Sequence, residues 1–127
     1  MRRAQFLILL PAFLALFGTT RTAEGSTLSV YPGCFNNGNY VAVCSASVAG
    51  GTGNYVSYYW HVTETALLQP TNSYSSTSTD PYLRYSCVNG VNINGVNGWV
   101  TVTLTVTDSQ GATGTGTQSI ACSEWAD

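Results

Sequence analysis

The chain has 127 residues, of which 44% are hydrophobic and 8% are charged, and its formal net charge is −2. It contains no lysine, and three of its four arginines lie within the first 21 residues. A surface with so little positive charge cannot neutralise phosphate groups, which excludes nucleic acids and anionic membrane surfaces as partners.

The N-terminal segment has the pattern of a secretory signal peptide. A pair of arginines is followed by the apolar run 6–17, which is too short to span a bilayer comfortably. The triplet A-E-G at 23–25 provides a small-residue cleavage site. We therefore predict a signal peptide over residues 1–25 and one domain over 26–127. The protein is expected to be secreted or periplasmic, with no membrane insertion after cleavage.

Removal of the signal peptide leaves Arg84 as the single arginine of the chain. Five acidic residues then oppose it, so the net charge is −4, or −5 if Glu24 is retained. Solubility must come from Ser, Thr, Asn, Tyr and Gly rather than from charge. This composition is common among exported bacterial proteins.

Alternation of apolar and polar residues predicts six or seven short strands and no helix after the signal peptide. The first strand is expected to end at the Pro-Gly pair 32–33. Residues 64–79 are weakly patterned, which indicates a loop or a short edge strand around Tyr74. The predicted strands are 27–31, 40–47, 55–63, 81–88, 99–107 and 113–122.

The strand 99–107 has the clearest period of two. Its Val and Leu residues alternate with Thr residues, so one face is predicted to be buried and the other to face solvent. The sequence D-S-Q-G follows at 108–111. Asp108 is expected to form this turn by accepting hydrogen bonds from nearby backbone amides.

Trp60 is predicted to fill the core of the domain. A tryptophan in the third strand of a sandwich is usually a core residue, and alternation turns Tyr59 and His61 to the opposite, outer face. The residues predicted to share the buried face with Trp60 are Val56, Tyr58 and Val62.

Strands at this spacing in about a hundred residues are typical of a β-sandwich. The segments Y-Y-W-H-V at 58–62 and G-W-V-T-V-T-L-T-V-T-D at 98–108 resemble the polycystic-kidney-disease (PKD) type of immunoglobulin-like domain. That family carries a Tyr-x-Trp strand and a later Gly-aromatic-Thr-Val-x-Leu-x-Val-Thr-Asp strand and turn. The resemblance implies an all-β, immunoglobulin-like (PKD-like) two-sheet sandwich of about seven antiparallel strands. It implies a fold and no particular activity.

Four cysteines lie in the predicted domain, and an even number behind a signal peptide predicts two disulfides. The sequence has no C-x2-C pair and a single histidine, so we expect neither a metal site nor a cofactor. The strand order of an immunoglobulin-like domain implies the pairs Cys34–Cys122 and Cys44–Cys87. The pairs Cys34–Cys87 and Cys44–Cys122 are the competing assignment.

Outward residues of three predicted strands form a candidate binding face with many hydroxyl groups. Threonine favours strands and solubilises an exposed sheet, so this composition by itself fits an ordinary solvated surface. The alternative interpretation is a recognition face for a protein or a glycan at the cell exterior. Its predicted members are Tyr59, His61, Thr101, Thr103, Thr105, Thr115 and Thr117.

We predict a secreted, non-catalytic protein-interaction or adhesion module stabilised by disulfides. The alternative is a small carbohydrate-binding module that uses exposed aromatic residues. As a catalytic base, His61 would need a serine nucleophile and an orienting carboxylate, and the chain has no G-x-S-x-G or H-E-x-x-H motif. The aromatic residues considered for sugar binding are Tyr55, Tyr59, Tyr74, Tyr82 and Trp99, and the carboxylates considered beside His61 are Glu64, Asp80 and Asp108.

Overall fold

The computed structural model describes residues 27–66, 70–88 and 98–125, so the predicted signal peptide lies outside the described residues. Within these ranges the protein consists of seven antiparallel strands in two sheets and contains no helix. The predicted all-β architecture of two sheets is confirmed. The strands are β1 (Ser29–Asn36), β2 (Val41–Ala49), β3 (Tyr55–Thr65), β4 (Asn72–Ser78), β5 (Tyr82–Ser86), β6 (Gly98–Asp108) and β7 (Thr113–Cys122).

The two sheets differ in size. One contains three strands in the order β1-β2-β5, and the other contains four strands in the order β4-β3-β6-β7. The weakly patterned segment after β3 forms the edge strand β4, which was one of its two predicted states. β6, the strand with the strongest alternation, lies inside the larger sheet between β3 and β7.

The alternation in β6 divides the larger sheet into a buried and an exposed face. All four aliphatic side chains of β6 are fully buried, whereas the threonines between them are partly exposed. Trp60 of β3 lies opposite Leu104 of β6 and is also fully buried. Its indole N–H donates a hydrogen bond to the Asp80 carbonyl oxygen (3.4 Å). The prediction that Trp60 fills the core is confirmed.

The prediction that Val56 shares the buried face of β3 is wrong. A β-bulge between Tyr55 and Ser57 interrupts the pairing of β3 with β6, and Val56 is 45% exposed. A bulge inserts one extra residue into a strand, which reverses the side-chain alternation beyond the insertion. Tyr55 therefore takes the inward position at this end of β3 and packs partly against the core.

β1 is longer than predicted, because it continues through the Pro-Gly pair to Asn36. It is an edge strand of its sheet, and an edge tolerates proline where the missing N–H would point away from the neighbouring strand. Pro32 lies opposite Ala46, whose N–H points away from β1 and donates to the Pro81 carbonyl oxygen (2.8 Å). Pro32, which has no N–H, therefore removes no hydrogen bond from the pairing of β1 with β2.

The longer β1 decides the disulfide pairing. Cys34 and Cys44 lie opposite each other in the pairing of β1 with β2 and are bonded. Cys87, which follows β5, is bonded to Cys122 at the end of β7 and so joins the two sheets. The prediction of two disulfides is confirmed, whereas the pairs Cys34–Cys122 and Cys44–Cys87 and their competing assignment are wrong. A first strand that ended at residue 31 would leave Cys34 in a loop instead of opposite Cys44.

β1 crosses closely over β7, and glycines of β7 permit this approach. A β-carbon at Gly116 would overlap the Val30 carbonyl oxygen, and one at Gly114 would overlap Leu28, the residue before β1. The next inward residue, Gln118, accepts a hydrogen bond from the Cys34 N–H through its side-chain oxygen (2.6 Å). The T-G-T-G-T sequence of β7 therefore places threonine outside and glycine beneath β1.

We predict that Gly116→Ala lowers the free energy of unfolding by about 1–3 kcal/mol, because the added methyl group must displace the β1 backbone. Gly33→Ala is the control, since a β-carbon there would have its nearest neighbours at 3.7 Å, an ordinary contact distance. The control should change stability by less than about 0.5 kcal/mol. Urea denaturation measures both values, and equal losses would contradict this role of Gly116.

Removal of the Cys87–Cys122 bond should destabilise the protein more than removal of the Cys34–Cys44 bond. The bonds span 35 and 10 residues of sequence, and a longer closed loop restricts the unfolded chain more. The chain-entropy relation assigns them about 4 and about 3 kcal/mol. Paired Cys→Ala variants, compared by urea denaturation, test the order, and peptide mapping of the unreduced protein tests the pairing. A reversed order would mean that local packing outweighs loop length.

Candidate functional site

The residues of the predicted binding face lie together on the outer face of the four-stranded sheet. Successive strands place them in rows across the sheet, such as His61, Thr103 and Thr117. Their use in binding stays a prediction. We call this surface the hydroxyl face, and it consists of Tyr59, His61, Thr63, Ser75, Thr101, Thr103, Thr105, Thr115, Thr117 and Ser119.

Three hydroxyl pairs cross from β6 to β7 on this face. Each hydroxyl can both donate and accept, so every pair keeps the capacity for further hydrogen bonds with water or a ligand. Branched threonine side chains have few χ1 rotamers, and the pairing restricts them further. The face therefore presents hydroxyl groups in fixed positions. The oxygen–oxygen distances are 2.8 Å in Thr101–Ser119, 3.2 Å in Thr103–Thr117 and 2.9 Å in Thr105–Thr115.

Tyr59 and His61 meet at Ser75 of the neighbouring edge strand β4. The Ser75 hydroxyl oxygen lies 2.7 Å from Nδ1 of His61 and accepts a hydrogen bond from the Tyr59 hydroxyl (3.2 Å). The other ring nitrogen of His61 lies 3.5 Å from the Thr63 hydroxyl. Ser75 is absent from the predicted face, because residues 64–79 have no apolar alternation to follow. The hydroxyl residues at alternate positions of β4 were the sequence signal that could have placed Ser75 on this face.

The carboxylates considered as partners of His61 lie away from it. Glu64 is on the buried face of β3, and Asp108 lies at the end of β6. Asp80 follows β4 and accepts a hydrogen bond from the Tyr82 N–H (3.0 Å). His61 is oriented by hydroxyl groups instead. Among the residues that the structure describes, no group of three His, Cys, Asp or Glu is arranged to hold a metal ion.

Glu64 is a fully buried carboxylate at a position that was predicted to begin a loop. One of its oxygens accepts hydrogen bonds from the Tyr85 hydroxyl (2.9 Å) and from the Val88 N–H (2.8 Å). Burial, together with the hydrogen bond to Glu64 and its negative charge, raises the pKa of Tyr85 to about 12. The carboxylate thus links β3 to β5 and has a structural role. Glu64 continues the alternate positions of Trp60 and Val62 along β3, and this pattern was the sequence signal for its inward position.

Asp108 forms the turn after β6, as predicted, and also holds the loop between β2 and β3. One carboxylate oxygen accepts hydrogen bonds from the N–H groups of Gln110 (2.9 Å) and Ala112 (2.8 Å). The other accepts one from the Thr52 N–H (2.9 Å). The Thr52 bond makes the largest contribution to holding the pKa of Asp108 below its ordinary value of 3.8, the other two bonds add to it, and burial opposes them. Two loops at one end of the sandwich thus depend on one ionised carboxylate.

A second exposed surface lies on the outer face of the three-stranded sheet. Tyr31 and Phe35 of β1 are 54% and 53% exposed, and Tyr82 of β5 is 65% exposed. Small residues lie between these rings, since Ser45 of β2 is opposite Gly33 on one side and Tyr82 on the other. We call these five residues the aromatic face. Neither Tyr31 nor Phe35 was among the predicted binding residues, and Phe35 lies beyond residue 31, at which the first strand was expected to end.

The other aromatic residues considered for sugar binding do not belong to the aromatic face. Tyr59 and Trp99 are exposed on the outer side of the larger sheet. Tyr55 is half-buried, and its hydroxyl donates a hydrogen bond to the Gly50 carbonyl oxygen (3.0 Å). The ring of Tyr74 lies 5.9 Å from the ring of a core tyrosine. Of the five aromatic residues considered for sugar binding, Tyr82 is therefore the one that lies within the aromatic face.

Comparison of the chain with protein-family models, curated proteins and solved structures found no match. The two disulfides fit an oxidising compartment, such as the cell exterior or the periplasm. In the described part of the chain, no helix has the length and apolar character needed to cross a membrane.

We predict that Asp108→Asn lowers the melting temperature at neutral pH and reduces the loss of stability in acid. Because folding depresses the pKa of Asp108, its contribution is fully present above the ordinary carboxylate pKa of about 4 and is lost as the pH falls through the folded value. Thermal unfolding at about pH 7 and about pH 3 tests this expectation. Asp80→Asn is the control, since its carboxylate accepts one backbone hydrogen bond at an exposed position. Equal acid sensitivity of the wild type and Asp108→Asn would contradict the role of Asp108.

Proposed function

We propose that the chain is an exported, PKD-like immunoglobulin-like domain that acts by non-covalent recognition at the exterior of a bacterial cell, without catalysis. Seven antiparallel strands in two sheets, a buried tryptophan on the third strand and a disulfide between the sheets support this proposal. The N-terminal signal pattern and the low charge of the remaining chain support export and an uncharged partner.

The hydroxyl face is the observation that carries the proposal. It contains no Asp, Glu, Lys or Arg, and its hydroxyl groups are already held by neighbours on the same sheet. A partner would therefore lose little free energy to the ordering of these side chains on binding. The hydroxyl face is therefore suited to binding a neutral protein surface that is rich in hydrogen-bonding groups.

Tyr59 and His61 distinguish this face from an ordinary solvated sheet. Threonine is common on exposed strands, so the hydroxyl pairs by themselves are not specific to recognition. Tyr59 is 40% exposed and adds an amphipathic ring of the kind that is enriched at protein interfaces. His61 adds a ring nitrogen beside it. We assign the specificity of the interaction to these two residues.

Carbohydrate binding at the aromatic face is the second candidate function. An exposed phenylalanine has no polar group to interact with water, and Phe35 lies on the same strand face as Tyr31. Aromatic rings stack against the C–H faces of sugars. The small residues Gly33 and Ser45 leave space for a sugar chain between the rings, and Ser45 provides a hydroxyl group to bind it. The five residues carry no charge, and Arg84 is the charged residue exposed beside them on this sheet face.

Paired variants separate the two functions. Tyr59→Ala with His61→Ala removes the specific groups of the hydroxyl face, and Tyr31→Ala with Tyr82→Ala removes two rings of the aromatic face. Affinity capture from the extracellular fraction of the source cells, followed by reconstitution with the purified partner, measures protein binding. A glycan array measures sugar binding. All four residues point to solvent, so unfolding curves should stay close to that of the wild type and exclude misfolding as the cause.

We expect a protein partner whose affinity falls at least about tenfold in the Tyr59 and His61 variant, equivalent to about 1.4 kcal/mol, and stays unchanged in the Tyr31 and Tyr82 variant. Retained binding after loss of Tyr59 and His61 would reject the hydroxyl face. Glycan binding that is lost in the Tyr31 and Tyr82 variant would establish the second function in its place.

A further inference from the structure

Three of the four edge strands carry features that protect them from pairing with another strand. An unprotected edge presents a row of free N–H and C=O groups to any strand that approaches. β1 contains Pro32, and the N–H of Cys34 on its free side is bonded to a side chain of β7. The free edge of β7 is covered at Thr113 by Leu28, whose N–H donates a hydrogen bond to the Thr113 carbonyl oxygen (3.5 Å). β5 has five residues, follows a proline and contains Arg84.

β4 has none of these features. Its sequence, N-S-Y-S-S-T-S, extends over seven residues without a charge, a proline or a glycine. β4 pairs with β3 along one side, and no other strand in the described part of the chain pairs with it. Natural sheets protect an edge of this length with lysine, proline or a bulge. An uncharged, regular edge of this kind indicates a surface that adds a strand.

We propose that β4 is a dimerisation edge, at which two copies of the chain pair β4 against β4 in antiparallel orientation. The four-stranded sheets of the two copies then form one continuous eight-stranded sheet. The interface is isologous, with its two-fold axis perpendicular to the sheet at Ser75. This interaction is independent of the partner that binds the hydroxyl face.

The length and alternation of β4 determine the register. Ser75 is the central residue of the strand, so full overlap of all seven residues requires that Ser75 lie opposite itself. Ser73 then lies opposite Thr77 of the second copy. A two-fold axis perpendicular to the sheet keeps the outer faces of both copies on the same side. The two hydroxyl faces thereby become one surface.

A second copy fits this edge better than a charged peptide does. Outward residues of β4 are Ser and Thr, which would form the same cross-strand hydroxyl pairs that β6 and β7 form at Thr101–Ser119 and Thr105–Thr115. In this pairing the residue at the two-fold axis lies opposite its own copy, which is unfavourable for a charged residue and acceptable for serine. Tyr74 is 45% exposed, and in this register its ring lies beside Ser76 of the second copy.

Sedimentation velocity of the purified protein over a range of concentrations tests the proposal. We expect a reversible monomer–dimer equilibrium without larger species. Ser75→Lys places two positive charges together at the two-fold axis and should weaken dimerisation at least about tenfold. Ser47→Lys is the control, since Ser47 is an exposed serine of the inner strand β2 and adds the same charge away from the edge. A wild type that stays monomeric, or a dimer unaffected by Ser75→Lys, would overturn the proposal.

Mixing experiments test whether Ser75 lies at the axis. Ser75→Glu should be monomeric like Ser75→Lys, and an equimolar mixture of the two should recover the dimer, because opposite charges then face each other. Ser75→Cys should form an intermolecular disulfide under mild oxidation, since residues directly opposite in antiparallel strands are close enough to bond. Ser73→Cys is the matched control on the same strand face, and it lies opposite Thr77. Cross-linking of Ser73→Cys in place of Ser75→Cys, or failure of the mixture to dimerise, would overturn this register.

Discussion

The packing of Trp60 against the aliphatic side chains of β6 is the contact on which the rest of the domain depends. Trp60 lies opposite Leu104 in the middle of the larger sheet, and both are buried between the two layers. A strand can bury one set of alternate residues only by exposing the other set. The same alternation that forms the core therefore produces the row of threonines outside. Core and hydroxyl face are two consequences of one pattern.

A domain of this size buries a small core, so the connections between its sheets matter. β1 approaches β7 across Gly116, and the Cys34 N–H is bonded to Gln118. The Cys87–Cys122 disulfide joins the sheets covalently. At one end, Asp108 binds backbone groups of two loops through both carboxylate oxygens. These contacts involve backbone groups, a polar side chain and a covalent bond, so they hold the two layers together in addition to the apolar core.

The two outer surfaces differ in chemistry although neither is acidic. One presents fixed hydroxyl groups with Tyr59 and His61, and the other presents Phe35 and two tyrosines around a small-residue floor. A dimer through β4 would double the first surface and leave the second unchanged on each copy. The hydroxyl face carries no charged residue, whereas Arg84 is exposed on the same outer sheet face as Phe35. The recognition proposed for this domain depends on shape and hydrogen bonding more than on long-range electrostatic attraction.

Features that depend on local pattern could be predicted from the sequence: the strands, the burial of Trp60, the outward threonines and the turn at Asp108. Each follows from side-chain periodicity or turn chemistry within a few residues. The disulfide partners, the bulge at Val56 and the approach of Ser75 to His61 were decided by the tertiary structure. They depend on the register between paired strands, and on a first strand that continues through Pro32 because it lies at a sheet edge.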